Sequence, residues 1–229
     1  MTTFASRVLR DLPTIYQAAF RRSTRVHWAS ACSGTESPLW VFEALAANGY
    51  LCHRHVFSAE INPHKRRWIR HVAPSTGFFL FANMFDISRR SAKCDIHEDV
   101  APGDLCDALD IFLAGFSCKD VSTLNIHRGS ASTCTDTHTG STGQTLLGVL
   151  LVVEMRRPKT FVLENVLGLL ARGQIARVVQ RLESKGYIVI WRVQNAQETG
   201  VPQDRDRVWI LGWRLDTVVG CISAAEFAE

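Results

Sequence analysis

Two side chains of a kind that can perform catalysis follow predicted strands in this sequence. Cys118 lies in GFSCKDVS, just after the apolar run LDIFLAG, and Glu164 lies near the end of the apolar run TFVLEN. A cysteine at a strand end can act as a nucleophile if positive charge stabilises its thiolate, and Lys119 is its neighbour in sequence. Burial would disfavour the charged form of Glu164, so that its carboxyl could hold or share a proton. Each residue also has a structural interpretation, since a lone cysteine is often a small buried hydrophobe.

A turn and an acidic residue earlier in the chain indicate a nucleotide-like ligand. The turn CSGTESP follows the first apolar run, RVHWASACS, and its small residues would let a ligand approach the backbone closely. It lacks the spacing of GxGxxG, because Glu36 and Ser37 stand where further glycines would be expected. Glu60 ends the second run, HVFSAE, where an acid commonly accepts hydrogen bonds from ribose hydroxyls. An ordinary tight turn, and an ion pair between Glu60 and the basic helix behind it, would fit the same residues.

The segment NAQETGVPQDRDRVWILG carries two arginines and an amide next to a predicted strand. Gln203, Arg205 and Arg207 alternate as that strand begins, so we expect them to face one side and Asp204 and Asp206 to face the other. Two guanidinium groups and an amide on one face suit a phosphate group or the edge of a base.

Short apolar or β-branched runs alternate with longer helical periods along the chain. This alternation predicts an α/β fold with a mostly parallel sheet and helices on both faces. Ligands bind at the carboxyl ends of the strands in such sheets, so we expect the chemistry just after Cys32, Glu60, Ala114 and Glu164.

Local signals place the helices and one long loop. Pro38, and Asn62 followed by Pro63, mark helix starts, and Asn165 could cap the helix that follows its strand. The polar segment 115–142 is expected to be either an active-site lid or a flexible insertion.

Composition limits the class of protein. The chain has 229 residues, 46% of them hydrophobic and 21% charged, with a formal net charge of +4, as expected for a globular domain that can accept a polyanionic partner. It contains no apolar run long enough to span a membrane. Seven cysteines without close pairing do not favour a disulfide framework. No metal site is expected, because Cys52, His53 and His55 lack a second pair of ligands at suitable spacing.

The order of these motifs along the chain resembles that in the C5-cytosine-specific DNA methyltransferases. The motifs are the small-residue turn, the acid, Gly-x-x-Cys, Glu-Asn-Val and Gln-x-Arg-x-Arg. The resemblance spans roughly residues 25–213. It implies a Rossmann-like fold dependent on S-adenosylmethionine, with a mostly parallel seven-stranded sheet. It also implies transfer of the cofactor's methyl group to carbon 5 of cytosine in DNA, with the target base flipped out of the duplex.

The resemblance assigns roles by position. The residues implied to hold the cofactor are Cys32, Ser33, Gly34 and Thr35 for the methionine part, Glu60 for the ribose, and Ile61, Asp86 and Ile87 for the adenine. The residues implied to act on the base are Cys118 as nucleophile, Glu164 as the acid that engages the ring, and Arg205 and Arg207 near the flipped cytosine.

Three departures from the family pattern keep other functions open. Ser117 and Lys119 replace the proline and glutamine that normally flank the cysteine, and Glu36 replaces a glycine, where it is expected to crowd or repel the cofactor carboxylate. No target recognition domain is found after Trp213. The alternatives are an RNA cytosine-5 methyltransferase, and an inactive or truncated homologue that binds cofactor or nucleic acid or acts with a partner protein.

The expected domain organisation is an N-terminal helical extension, residues 1–24, followed by a methyltransferase domain, residues 25–229. Residues 1–24 are amphipathic, basic and poor in acids, which is also typical of a transit peptide. The expected location is intracellular, in the nucleus if the source is eukaryotic, with an organelle as an alternative.

Overall fold

A single sheet of seven strands organises the part of the chain that the structure describes. The computed structural model describes residues 25–73, 77–88, 92–97, 109–122 and 140–217. The strands are β1 (Arg25–Ala31), β2 (Cys52–Ala59), β3 (Phe79–Phe81), β4 (Ile111–Gly115), β5 (Thr160–Asn165), β6 (Tyr187–Asn195) and β7 (Asp206–Arg214). The α-helices are α1 (Ser37–Ala47), α2 (Pro63–Val72), α3 (Gly140–Arg156) and α4 (Gln174–Glu183).

The strand order is β3-β2-β1-β4-β5-β7-β6. Strands β1 to β5 pair in parallel, and β7 lies antiparallel to both β5 and β6. Because β1, β2, β4 and β5 run parallel to one another, their carboxyl ends lie at one edge of the sheet. The α/β fold with a mostly parallel sheet is confirmed.

Helices cover both faces of the sheet because alternate side chains of each strand point to opposite faces. On one face, α3 and α4 pack on the central strands, through residues that include Leu146, Val149, Val178, Phe112 and Phe161. On the other face, α1 and α2 pack on β1, β2 and β3, through residues that include Leu39, Phe42, Ile69, Trp28 and Leu80. The Trp28 and Phe42 rings stack with their centroids 4.8 Å apart.

Several local predictions match and others need correction. The Asn62 side chain caps α2 by accepting hydrogen bonds from the His64 and Lys65 N–H groups, as predicted. The helix predicted to follow Asn165 begins later than expected, because a 3-10 helix, Leu167–Gly173, precedes α4 and Gly173 adopts φ 71° between them. Strand β7 begins at Asp206, so Gln203 and Arg205 precede the strand in which they were predicted to lie.

The predicted extension, residues 1–24, and most of the predicted loop 115–142 lie outside the described residues. Among the residues that are described, no helix is both long and apolar enough to cross a membrane.

Candidate active site

The predicted site residues follow the strands whose carboxyl ends meet at one edge. Ala31 pairs with Ala59 on one side and with Ala114 on the other, which brings the residues after β1, β2 and β4 together. Gly115 in turn pairs with Glu164 of β5. The turn after Ala31, Glu60, the Cys118 segment and Glu164 are therefore neighbours at this edge.

A cavity of about 580 Å³ opens between these segments. Its lining includes Cys32, Glu60 and Ile61 from the residues assigned to the cofactor, together with Ser117 and Lys119 beside the predicted nucleophile. Ile61 is 83% exposed, so its side chain is available to a ligand.

The pair assigned to the adenine is placed differently from the expectation. Ile87 is 1% exposed and packs in the hydrophobic core, so it does not line the cavity. Met84 and Phe85, from the same short 3-10 helix as Asp86, contribute to the lining instead. The sequence did not identify Met84 and Phe85, because it does not show which side of this 3-10 helix faces the cavity.

Glu60 is 7% exposed and its carboxylate organises the turn after β1. The Gly34 N–H donates to Glu60 Oε2 at 2.8 Å, and the Asn62 N–H donates to Oε1 at 2.9 Å. Arg66 of the basic helix α2 does not form an ion pair with the Glu60 carboxylate. It donates to the Glu60 carbonyl oxygen and forms an ion pair with Asp95. The carboxylate is thus held at the cavity by backbone donors.

Glu36 does not crowd the cavity, which corrects the expectation from its sequence position. Its side chain is completely buried, with a φ of 59°, and points into the interior below the turn. The Ser30 hydroxyl donates to Glu36 Oε1 at 2.8 Å, and the Ser58 hydroxyl donates to Oε2 at 2.6 Å. Burial raises the pKa of Glu36 to about 7, although the serine hydrogen bonds oppose this rise.

The two half-buried cysteines near the cavity differ in their surroundings. Burial, reinforced by the negative charge of Glu60, raises the pKa of the Cys32 thiol to about 12. Cys32 therefore stays protonated at neutral pH and is a packing residue of the turn rather than a nucleophile.

Cys118 lies in a tight turn. The Val121 and Ser122 N–H groups both donate to the Cys118 carbonyl oxygen, at 3.1 and 2.8 Å. The preceding residue, Ser117, donates its N–H to Thr145 Oγ1 at 3.0 Å, and its hydroxyl lies 2.9 Å from that of Ser141. These bonds to α3 fix the turn where a proline would otherwise restrict it.

Asp120 gives the same segment a second attachment to α3. Its carboxylate accepts the Thr142 N–H at 2.6 Å, and its own N–H donates to Thr142 Oγ1 at 3.0 Å. Gly140 at the start of the helix has φ 68°, and a Cβ there would lie 2.5 Å from Asp120 Oδ2. A glycine is therefore required where the helix meets this carboxylate.

Glu164 forms an ion pair with Arg207 of β7, with Arg207 Nε 2.7 Å from Glu164 Oε1. The expected desolvation of Glu164 is not seen, because 29% of its side chain is exposed. A Cβ on Gly115 would lie 3.2 Å from Glu164 Oε2, so the glycine leaves room for the carboxylate. Arg205 is exposed, and the neighbouring Asp204 accepts a hydrogen bond from Asn195.

Asn165 does not cap the following helix. It is 1% exposed, and its side-chain amide donates to the Phe116 carbonyl oxygen at 3.0 Å. The residue after Glu164 thus holds the backbone that leads to Ser117 and Cys118. The sequence alone suggests only a helix-capping role for Asn165, because its partner Phe116 lies 49 positions away in the chain.

Histidines near the cysteine on β2 are engaged in packing. His53 Nδ1 accepts a hydrogen bond from Trp28 Nε1 at 3.2 Å, and His55 stacks on Trp28 with ring centroids 3.9 Å apart. Across the described parts of the chain, no group of three or more His, Cys, Asp or Glu side chains is placed to hold a metal ion.

Comparison with known proteins decides the family. The family model for the C-5 cytosine-specific DNA methylases matches residues 45–227. The chain belongs to the C-5 cytosine-specific DNA methylase family. The seven-stranded sheet is accordingly the Rossmann-like methyltransferase fold, and the matched span contains Glu60, Cys118, Glu164 and Arg207.

The relatives of this chain include bacterial and fungal proteins. The chain is 38% identical over 124 residues to the type II methyltransferase M.NgoFVII of Neisseria gonorrhoeae, which covers 52% of the chain and 31% of that relative. It is 32% identical over 208 residues to DNA (cytosine-5-)-methyltransferase DMT5 of Cryptococcus neoformans, covering 87% of the chain and 8% of the relative. In both cases the match spans less than a third of the relative's length.

Proposed function

We propose that this chain transfers a methyl group from S-adenosylmethionine to carbon 5 of cytosine in DNA through a covalent bond to Cys118. The observation that carries the proposal is the attachment of the segment around Cys118 to α3 and to Asn165, the residue after Glu164, whose carboxylate pairs with Arg207. A thiol, a carboxylate and a guanidinium at one sheet edge are the groups that this reaction needs.

The cavity residues fit the cofactor chemically. Each Glu60 carboxylate oxygen accepts one backbone N–H and retains a lone pair for a ribose hydroxyl. Exposed Ile61 and half-buried Phe85 offer apolar surface for an adenine ring, and the Ser33–Thr35 turn would hold the methionine part. When bound, S-adenosylmethionine supplies an electrophilic methyl group.

The residues of this chain would activate the base rather than the methyl group. The Cys118 thiolate forms a bond from Sγ to carbon 6 of cytosine, and the electrons of the 5,6 double bond make carbon 5 nucleophilic. After carbon 5 has received the methyl group, its proton passes to a base. The double bond then re-forms and the bond between Sγ and carbon 6 breaks, which releases Cys118.

Glu164 would orient the ring during this sequence. Arg207 holds Oε1, which leaves Oε2, on the side of Gly115, to engage the polar edge of the pyrimidine. A group fixed before the reaction stabilises the charge that builds on the ring without a reorganisation cost.

The test uses the full chain, methyl-labelled S-adenosylmethionine, a DNA duplex and an RNA of matched sequence. The wild type and the control Cys52→Ala, which removes an exposed cysteine of β2, are expected to label DNA. Cys118→Ala is expected to label nothing. A duplex with 5-fluorocytosine lacks the proton that must leave carbon 5, so the wild type should form a covalent complex on a denaturing gel. Label on RNA alone would replace DNA as the substrate, and transfer by Cys118→Ala would exclude the covalent mechanism.

A further inference from the structure

Glu36 occupies an unusual place for a carboxyl group that makes no contact with solvent. It lies immediately after the Ser33–Thr35 turn, yet its side chain is 0% exposed and reaches back between two neighbouring strands. Ser30 of β1 and Ser58 of β2 pair in register, and each donates its hydroxyl proton to one carboxylate oxygen. The carboxyl thus joins the turn to both strands that carry the proposed cofactor residues.

One hydrogen-bond path runs from Glu36 back to the turn. The Ser30 hydroxyl lies 2.6 Å from that of Ser33, and because Ser30 already donates to Glu36, it accepts from the Ser33 hydroxyl, which also lies 3.3 Å from the Ala59 carbonyl oxygen. Gly34, the next residue, donates its N–H to Glu60. The ionised carboxyl therefore fixes the hydroxyl of Ser33 at a position one residue from the Glu60 contact.

A second path leads away from the cavity. The Ser58 hydroxyl lies 2.8 Å from His55 Nε2, and because Ser58 donates to Glu36, the imidazole must donate to Ser58. The His55 ring stacks between Trp28 and Phe78, with centroid distances of 3.9 and 4.5 Å. Burial lowers the pKa of His55 to about 3, so the ring is neutral at physiological pH and supplies a hydrogen bond but no charge.

The buried surroundings of Glu36 make its ionised form costly. Burial raises its pKa to about 7, and the negative charge of Glu60 at the end of β2 adds to this rise. Cys32 in the turn is a neutral thiol, and the charge of Lys65 on α2 acts on that thiol. Glu36 consequently changes its protonation state close to neutral pH, although it touches no solvent.

We propose that Glu36 is a positioning residue for the cofactor, and that binding of S-adenosylmethionine to the Ser33–Thr35 turn releases a proton from it. This inference rests on the proposed function. The methionine part of the cofactor carries a sulfonium, an ammonium and a carboxylate group, and its net positive charge favours the ionised form of a nearby carboxyl group over the neutral form. Once ionised, Glu36 accepts from both serines and locks the turn in the arrangement described above.

Calorimetry of S-adenosylmethionine binding in two buffers of different ionisation enthalpy measures the protons released. The cofactor's own amino group titrates in the same range, since α-amino groups have pKa values of about 7.7–8.0, so the readout is the difference between proteins. At neutral pH the wild type should release more protons than Glu36→Gln. Its affinity should also rise with pH, by up to about tenfold between pH 6 and pH 8 beyond the rise in the variant, because Glu36 with a pKa of about 7 in the free protein is mostly protonated at pH 6 and mostly ionised at pH 8.

Two controls separate this effect from loss of structure. Glu183→Gln removes an exposed carboxyl at the end of α4 and should behave as the wild type. Ser58→Ala keeps the carboxyl but removes one donor, so it should weaken binding near neutral pH and move the midpoint of the affinity rise to higher pH. Thermal unfolding checks that each variant is folded, and if Glu36→Gln is not, Ser58→Ala decides alone.

The outcomes distinguish the two proposals. Equal proton release by the wild type and Glu36→Gln, or an unshifted midpoint in Ser58→Ala, would overturn the role of Glu36 while the methyltransferase proposal stands. A wild type that does not bind S-adenosylmethionine would overturn both.

Discussion

Asp120 and Thr142 exchange hydrogen bonds across 22 positions of sequence: the Asp120 carboxylate accepts the Thr142 N–H at 2.6 Å, and the Asp120 N–H donates to Thr142 Oγ1 at 3.0 Å. Asp120 is two residues after Cys118, and Thr142 is in the first turn of α3. A carboxylate at a helix N-terminus is also stabilised by the helix dipole. The position of the predicted nucleophile therefore depends on the start of a helix that packs in the core.

Replacing Asp120 should disturb catalysis more than cofactor binding. Asp120→Ala removes the cap of α3 and should cost about 1 kcal/mol of stability, as other cap losses do. The Cys118 turn keeps its bonds through Ser117 and through the backbone N–H of residue 120, but it loses the bond between the carboxylate and the Thr142 N–H. Single-turnover methyl transfer should therefore slow, while the dissociation constant of S-adenosylmethionine stays near the wild-type value. Asp120→Asn, which keeps an acceptor oxygen, should lose less. Equal rates in the wild type and Asp120→Ala would show that this attachment does not position Cys118.

Gly115→Ala tests the space around Glu164. The new Cβ would lie 3.2 Å from Glu164 Oε2, closer than ordinary contact, so the carboxylate must move by a few tenths of an ångström. Because catalytic groups must be placed accurately, methyl transfer should fall, while the free energy of unfolding should change by no more than about 1 kcal/mol. Gly77→Ala is the matched control, since a Cβ there meets nothing within 4 Å. A variant with full activity would mean that the reaction tolerates displacement of Glu164.

The strand ends could be predicted from the sequence, and the contacts between them could not. Apolar runs ending in Cys32, Glu60, Ala114 and Glu164 follow from the alternation of strands and helices, and the sheet brings them together as expected. The sequence predicts that Glu36 faces the ligand, because local sequence does not show that the Ser30 and Ser58 hydroxyls, on paired strands, donate to its carboxylate.

The same limit applies to longer-range partners. Asn165 and Asp120 have familiar local uses as helix caps or turn residues. Their partners, the Phe116 carbonyl and Thr142, lie 49 and 22 positions away, so only the folded chain identifies them. The burial of Ile87 was missed for a related reason, because the rotation of a short 3-10 helix is set by packing on α3 rather than by its own residues.

Arg207→Ala should separate the role of the ion pair in activity from its role in stability. The Arg207 and Glu164 side chains are 21% and 29% exposed, so solvent screens the pair and its loss should cost less than about 1 kcal/mol. Methyl transfer should fall by about tenfold or more, because Glu164 then lacks the group that holds Oε1. Arg192→Ala, which removes an exposed arginine of β6, is the control. If the two variants are equally active, Arg207 does not orient Glu164 for the reaction.

Glu36 should also be visible in the pH dependence of stability without any ligand. Its pKa rises from an ordinary value of 4.5 to about 7 on folding, so the folded state binds the proton more tightly than the unfolded state. The neutral carboxyl thus stabilises the fold fully below about pH 4.5, and this contribution is lost as the pH rises through about 7. For the shift from 4.5 to about 7 the loss is on the order of 3 kcal/mol.

Urea unfolding of the wild type and Glu36→Gln at several pH values measures this loss as a difference. Glutamine does not titrate, so the free energy of unfolding of the wild type should fall relative to that of Glu36→Gln as the pH increases from about 5 to 8. His55 has a lowered pKa and destabilises the fold as the pH falls below about 6.5, but it is present in both proteins and cancels from the difference. A difference that is constant across this range would mean that Glu36 does not gain a proton on folding. Its place between Ser30 and Ser58 would then have no effect on protonation.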